Sequence, residues 1–138
     1  MTLPELEALL AQPAFHQLVK VEAVAVSPDG RLTLRLPFDP AYTLFPEHGN
    51  YHGGVIATLI DVAGTMACSV LAGRPTPTAN LRVDYLKSPR GCDLFADALV
   101  QRMGGQLAVA DVTVRDEAGT VYAIGRGSFS VPAAKAAG

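Results

Sequence analysis

One acid stands alone in a long apolar run. In NYHGGVIATLIDVAGTMACSV, Asn50 to Val70, Asp61 is the only carboxylate, and a His-Gly-Gly triplet precedes the run. A carboxylate can take a proton from water or attack a carbonyl carbon itself. Burying one without a hydrogen-bonding partner is costly, so an acid in this place has a use. The triplet offers a second kind of chemistry. Free backbone N–H groups and the positive end of the helix dipole gather where a helix begins. Glycines leave that backbone open to close approach. Such a turn suits a carbonyl oxygen that becomes negative during reaction. His52 is either a general base or a residue that holds the turn through a hydrogen bond, and the holding role is favoured.

The spacing limits how these groups work together. Gly53 and Asp61 are eight residues apart, roughly 12 Å along a helix at 1.5 Å per residue. A catalytic acid must come within about 3 Å of its reacting atom or of an intervening water. Gly53 and Asp61 of one chain therefore cannot serve the same carbonyl. A two-fold dimer with antiparallel central helices brings Gly53 of one chain to Asp61 of the other, twice.

The helix face carrying Asp61 is compatible with that approach. Gly54, Ala57, Thr58, Gly64, Thr65, Cys68 and Ala72 fall on or near it and are all small or weakly polar. The opposite side carries Val55, Ile56, Leu59, Ile60, Val62, Met66, Val70 and Leu71, which are expected to fill the chain's own sheet. The small face either admits a ligand or a second backbone, or lies under a tightly packed strand of the same chain.

The elements that must position these residues can be read from periodicity. Leu3 to Ala11 is an expected amphipathic helix, with Pro4 in its first turn. Val19 to Ser27 and the strictly alternating RLTLRLP form a hairpin about the turn SPDG. The proline-rich stretch PFDPAYTLFPEHGN is a loop, and its Tyr42 to Phe45 part either lines a pocket or belongs to the core. The apolar run, Val55 to Ala72, is a helix ended by AGRPTP. Four strands follow: Thr78 to Leu86, Leu94 to Met103, Gln106 to Arg115 and Val121 to Val131, with hairpin signals at Gly104-Gly105 and DEAG. The expected architecture is α+β, a curved antiparallel sheet wrapped around one long central helix, in a single domain over residues 1–138. Residues 1–12 form the N-terminal helix and 132–138 a flexible tail.

Composition narrows the function classes. Hydrophobic residues make up 49% of the 138 and charged residues 17%, with a net charge of −2. That is a chain with a core and no basic block, so a dedicated nucleic-acid binder is not expected. A central acid costs roughly 2.5–3.5 kcal/mol in lipid, which argues against Val55 to Ala72 as a membrane span. Cys68 and Cys92 show no metal-ligand spacing and suit reduced thiols in a cytoplasmic protein. MTLPELEALL lacks a basic segment followed by an apolar core, so no signal peptide is expected.

HGGVIATLID, His52 to Asp61, resembles the hotdog-fold acyl-CoA thioesterases, in particular the phenylacetate-degradation type, and TANLRVDYLKSP resembles that family's strand after the helix. The resemblance covers most of the chain. It implies hydrolysis of an acyl-CoA thioester with no metal and no cofactor other than the coenzyme A of the substrate. It implies homodimers, paired into tetramers. By position, Asp61 matches the catalytic carboxylate, Gly53 the glycine whose N–H polarises the carbonyl, and His52 the loop histidine. Thr65 and Thr78 match polar residues that some members place beside the carboxylate. Gly54, Asn50, Lys87 and Arg90 are the candidate contacts to substrate and CoA, with Arg102 a further cation near a strand end. One position departs from the pattern: many members carry Asn or Gln six residues before the histidine, where this chain has Pro46. Two rival readings stand beside hydrolysis: a non-catalytic acyl-CoA binding module of the same fold, which Pro46 favours, and a dehydratase acting on acyl carriers.

Overall fold

The computed structural model describes residues 1–136; the last two residues of the expected tail lie outside them. Helix α1 spans Leu3–Leu10. Thr2 caps it: its hydroxyl accepts from the Glu5 N–H, while the Glu5 carboxylate accepts from the Thr2 N–H at 2.6 Å. This reciprocal pair satisfies two N–H groups that would otherwise be left over. Leu6 and Leu10 are buried, whereas Leu9 is half-buried.

Strands β1 (Glu22–Val26) and β2 (Leu32–Leu36) form the expected hairpin. β1 is shorter than its sequence pattern because the chain before it is otherwise engaged. The Lys20 N–H donates to the Tyr42 hydroxyl, and the Val21 N–H to the Val19 carbonyl. Helix α2 spans Gly53–Ala72. It begins two residues earlier than its apolar pattern because the His52 side chain caps it. It ends at Gly73, whose φ of 68° is a left-handed stop that glycine adopts without strain.

Strands β3 (Thr78–Tyr85), β4 (Leu94–Met103), β5 (Leu107–Arg115) and β6 (Val121–Ser130) complete the fold. All six strands pair antiparallel in the order β1-β2-β4-β5-β6-β3. Helix α2 contacts every strand from β2 to β6, so the sheet wraps around it as the hotdog architecture requires. β3 returns beside β6, so β1 and β3 are the two edge strands of the sheet. α2 is long and apolar enough to cross a membrane by length and composition, the one such helix among the described residues. Its Ile56, Leu59, Ile60 and Val62 are buried in the core instead.

The small face of α2 is divided between two uses. Gly64 lies under the Phe129 ring of β6: a Cβ there would come within 2.6 Å of the ring's Cζ. Cys68 is buried in the same cluster with Ala108, Ala110 and Val131. This part is covered by the chain's own sheet. Ala57, Thr58, Asp61 and Thr65 are only half-buried, and Gly54 is exposed. The open remainder is therefore the stretch around Asp61. Because the Phe129 ring is fully buried and cannot swing away, Gly64→Val is expected to cost about 2 kcal/mol or more by overpacking. Gly105→Ala, which would meet nothing within 4 Å, should stay within about 0.5 kcal/mol of wild type. Urea midpoints of the two variants check the contrast.

Candidate active site

Asp61 finds its partner on β3. The turn after α2 is held down by a buried pair of hydroxyls, Ser69 and Thr76, 2.9 Å apart. The Thr76 N–H donates to Ser69 Oγ, and the Thr76 hydroxyl donates to the Thr65 carbonyl, both at 3.2 Å. Two residues later the chain enters β3 at Thr78, whose hydroxyl donates to Asp61 Oδ1 at 2.6 Å. Thr65 Oγ1 lies 3.4 Å from Thr78 Oγ1. Since the Thr78 proton points at Asp61, Thr65 is the donor in that weaker contact. Asp61, Thr65 and Thr78 thus form one cluster on the open part of α2. Asp61 Oδ2 has no hydrogen-bond partner among the described residues and remains available to a ligand or water.

The other candidates gather at the start of the helix. His52 Nδ1 accepts from the Gly54 N–H at 2.9 Å. That nitrogen therefore holds its lone pair toward the helix, and any ring proton sits on Nε2. The His52 N–H donates to the Tyr42 carbonyl at 2.9 Å. Tyr42 is core rather than pocket lining: it is buried, and its hydroxyl donates to the Leu18 carbonyl. Leu44 and Phe45, from the same loop, are exposed. Among the described residues the Gly53 N–H has no acceptor. It opens on a cleft of about 310 Å³ lined also by Ile56, Tyr85, Lys87 and Pro89.

Tyr85 was not among the residues that the sequence singled out. Its hydroxyl donates to the Gly53 carbonyl at 2.7 Å, and its ring lies 3.4 Å from the place of a Gly53 Cβ. It clamps the Gly53–Gly54 peptide, the one that follows the open Gly53 N–H. The available signal was the alternation of β3, which puts Tyr85 on the helix-facing side with Leu81 and Val83.

The structure does not gather every candidate in one place. Asn50 forms an isolated bridge with Arg90, and its Nδ2 donates to Ser88 Oγ at 3.1 Å. Lys87 and Arg90 are exposed at the Gly53 end. Arg102 sits at the other end. It pairs with Val109, which pairs with Ser128, which pairs with Asn80 near Thr78. Neither cysteine suits a nucleophile: burial pushes the Cys68 thiol up to about 11 and raises Cys92 as well. Among the described residues no three His, Cys, Asp or Glu side chains converge as a metal site.

The profile of the thioesterase superfamily matches residues 48–123, the loop before α2 through the start of β6. The chain belongs to the thioesterase superfamily. A putative esterase of Halobacterium salinarum is 40% identical over 129 residues, covering 84% of this chain and 85% of that protein. The medium/long-chain acyl-CoA thioesterase YigI of Escherichia coli is 37% identical over 81 residues, 48% of this chain and 52% of YigI. Among solved structures, the PaaI protein from the phenylacetic acid degradation operon of E. coli shares the fold. Its TM-score is 0.82 at 20% identity, over 96% of this chain and 97% of that one.

Two substitutions separate the halves of the site in this superfamily member. Thr78→Val removes the donor to Asp61 without changing size, and a hydrogen bond to a charged group carries about 1.5–3 kcal/mol. Turnover of a thioester should fall by one to two orders of magnitude, and Thr78→Ser should recover most of it. Tyr85→Phe should lower turnover about tenfold by loosening the Gly53–Gly54 peptide next to the open N–H, with stability changed by less than about 1.5 kcal/mol. Steady-state kinetics alongside thermal melts checks both.

Proposed function

We propose that this thioesterase-superfamily chain hydrolyses acyl-CoA thioesters to the free acid and coenzyme A, at sites shared by two protomers. The observation that carries the reading is the Asp61–Thr78–Thr65 cluster on the open part of an unbroken helix, remote from the open Gly53 N–H. The acyl-CoA thioesterase YigI among its relatives supports the choice of substrate class.

In the proposed reaction the Gly53 N–H of one protomer donates to the thioester oxygen and stabilises it as negative charge develops. Asp61 of the second protomer acts through Oδ2. It either removes a proton from water as that water attacks the carbonyl carbon, or attacks the carbon itself to form an anhydride that water then opens. In both routes the C–S bond breaks, and the sulfur leaves as thiolate and takes up a proton. Thr78 holds Oδ1, so the carboxylate keeps one orientation throughout. His52 positions the Gly53-Gly54 turn. Gly54 and Asn50 contact the substrate from the turn that carries Gly53, and Lys87 and Arg90 meet the phosphates of CoA. The reading calls for no metal and no cofactor beyond the CoA of the substrate. It places a homodimer, paired further into a tetramer, in the cytoplasm.

The test is release of CoA thiol across a panel of acyl-CoAs. Asp61→Ala should lower turnover at least a thousandfold, and activity that survives the substitution would remove Asp61 from the mechanism. Tight binding of acyl-CoA without turnover by the wild type would point to a binding module. The shared site has its own measurement. Gly53→Pro removes the N–H at a first helical position that tolerates proline, and His52, at φ −64° and ψ 132°, already has the conformation preferred before proline. Mixed dimers of Gly53→Pro and Asp61→Ala chains should regain one working site each. No recovery in verified mixed dimers would count against sharing.

A further inference from the structure

Among the described residues, tyrosines and cysteine aside, only two polar side chains are buried: Ser69 in the last turn of α2 and Thr76, four residues past its end. They satisfy each other. Thr76 sends its N–H to Ser69 Oγ and its hydroxyl proton to the Thr65 carbonyl, so the Ser69 hydroxyl is the donor in the 2.9 Å contact between the two. A buried hydrogen-bonded pair can be exchanged for apolar groups of the same shape at little cost in stability. What an apolar pair would not supply is direction. These bonds pin the chain that leaves α2 against Thr65, one turn beyond Asp61.

The pin matters for the register of β3. Leu81 and Val83 pair with Gly127 and Gly125 and face the core, while Asn80 pairs with Ser128 and points outward. Strict alternation would turn Ala79 inward and Thr78 outward. Instead the register shifts between Thr78 and Asn80. Thr78 pairs with Phe129, whose ring covers Gly64, and Ala79 is the extra residue of a bulge. The bulge exchanges the faces, so Thr78 rather than Ala79 reaches Asp61. Before the bulge, the Ser130 N–H donates to the Pro77 carbonyl at 2.7 Å and holds the entry of the strand.

We propose that Ser69 and Thr76 are positioning residues for thioester hydrolysis: by fixing where the chain leaves α2 they hold the bulge at Ala79 and keep Thr78 bonded to Asp61. This deepens the hydrolytic reading above and rests on it. Neither side chain meets the substrate; both act through Thr78.

The experiment compares wild type, Thr76→Val and Thr76→Ser on the acyl-CoA that the wild type turns over fastest, with thermal melts to confirm folding. Thr76→Val keeps the shape and removes the hydroxyl. Its kcat should fall at least about tenfold while KM changes less than about threefold, and Thr76→Ser should recover most of the loss. Destabilisation alone would act on any background and multiply with the effect of Thr78→Val. Action through Thr78 predicts that Thr76→Val costs less than about threefold once Thr78→Val is present. A smaller loss in kcat, a larger change in KM, no recovery by Thr76→Ser, or a loss above threefold in the Thr78→Val background overturns the proposal. Ser69→Ala, which removes the acceptor of the Thr76 N–H, replaces Thr76→Val if that variant does not fold, with Ser69→Thr as its conservative partner. If the wild type hydrolyses no thioester, the hydrolytic reading falls, and a crystal structure of the substituted chain decides the positioning separately. A Thr78 hydroxyl turned away from Asp61 upholds it, and one still bonded there overturns it.

Discussion

The rigid rise of α2 is the constraint on which the site depends. A continuous helix from Gly53 to Ala72 keeps the open N–H at Gly53 and the carboxylate at Asp61 about two turns apart. No side-chain motion closes that gap. The helix stays continuous because its large residues are locked into a sheet that touches it from β2 to β6. The burial that stabilises the fold is thus the same burial that keeps the open N–H and the carboxylate apart. Under the proposed reaction such a chain is catalytically divided, and the open surface around Asp61 is where a second chain would restore contact.

The packing beneath β6 shows how the sheet leaves only that surface open. β6 carries glycines at 125 and 127. A Cβ at Gly125 would come within 2.6 Å of the Ile60 side chain and 3.0 Å of the Arg82 carbonyl. These gaps let α2 sit close to the sheet and let the Phe129 ring reach Gly64. Cys68 is sealed in the same way, one turn further along. The small residues of α2 therefore serve two purposes. Gly64 and Cys68 are covered by Phe129 and its neighbours from the same chain, and Ala57, Thr58, Asp61 and Thr65 stay open.

Much of this was legible in the sequence, for identifiable reasons. The lone acid, the glycine turn and the distance between them depend only on local helical geometry, and the helix is unbroken. β4 runs over Leu94 to Met103, as its alternation indicated, and the hairpin turn into β5 fixes its C-terminal end. The strand order was not legible. Alternation says which face of a strand is buried, not which strand lies beside it, and β3 crosses to the far side of β6 only because α2 carries the chain across. The same limit hid most of the partners. Tyr85 reaches Gly53 and Phe129 covers Gly64 across separations of 32 and 65 residues, beyond any local pattern, whereas Thr78 was placed beside Asp61, 17 residues away, only by the family resemblance.

The placement of positive charge has the same divided logic. Lys87 and Arg90 lie at the Gly53 end of the fold, and Arg102 lies at the Thr78 end. Within one chain they are too dispersed to hold a polyphosphate together. Two antiparallel central helices would reverse that, because the Gly53 end of one chain then meets the Asp61 end of the other. Lys87 and Arg90 of one chain would then approach the composite site, with Arg102 of the other chain at its margin, three strands away, and their mutual repulsion is offset when an anionic ligand is present. Keeping them apart in the free chain avoids that repulsion during folding, while the proposed assembly would concentrate charge where a phosphorylated substrate would use it.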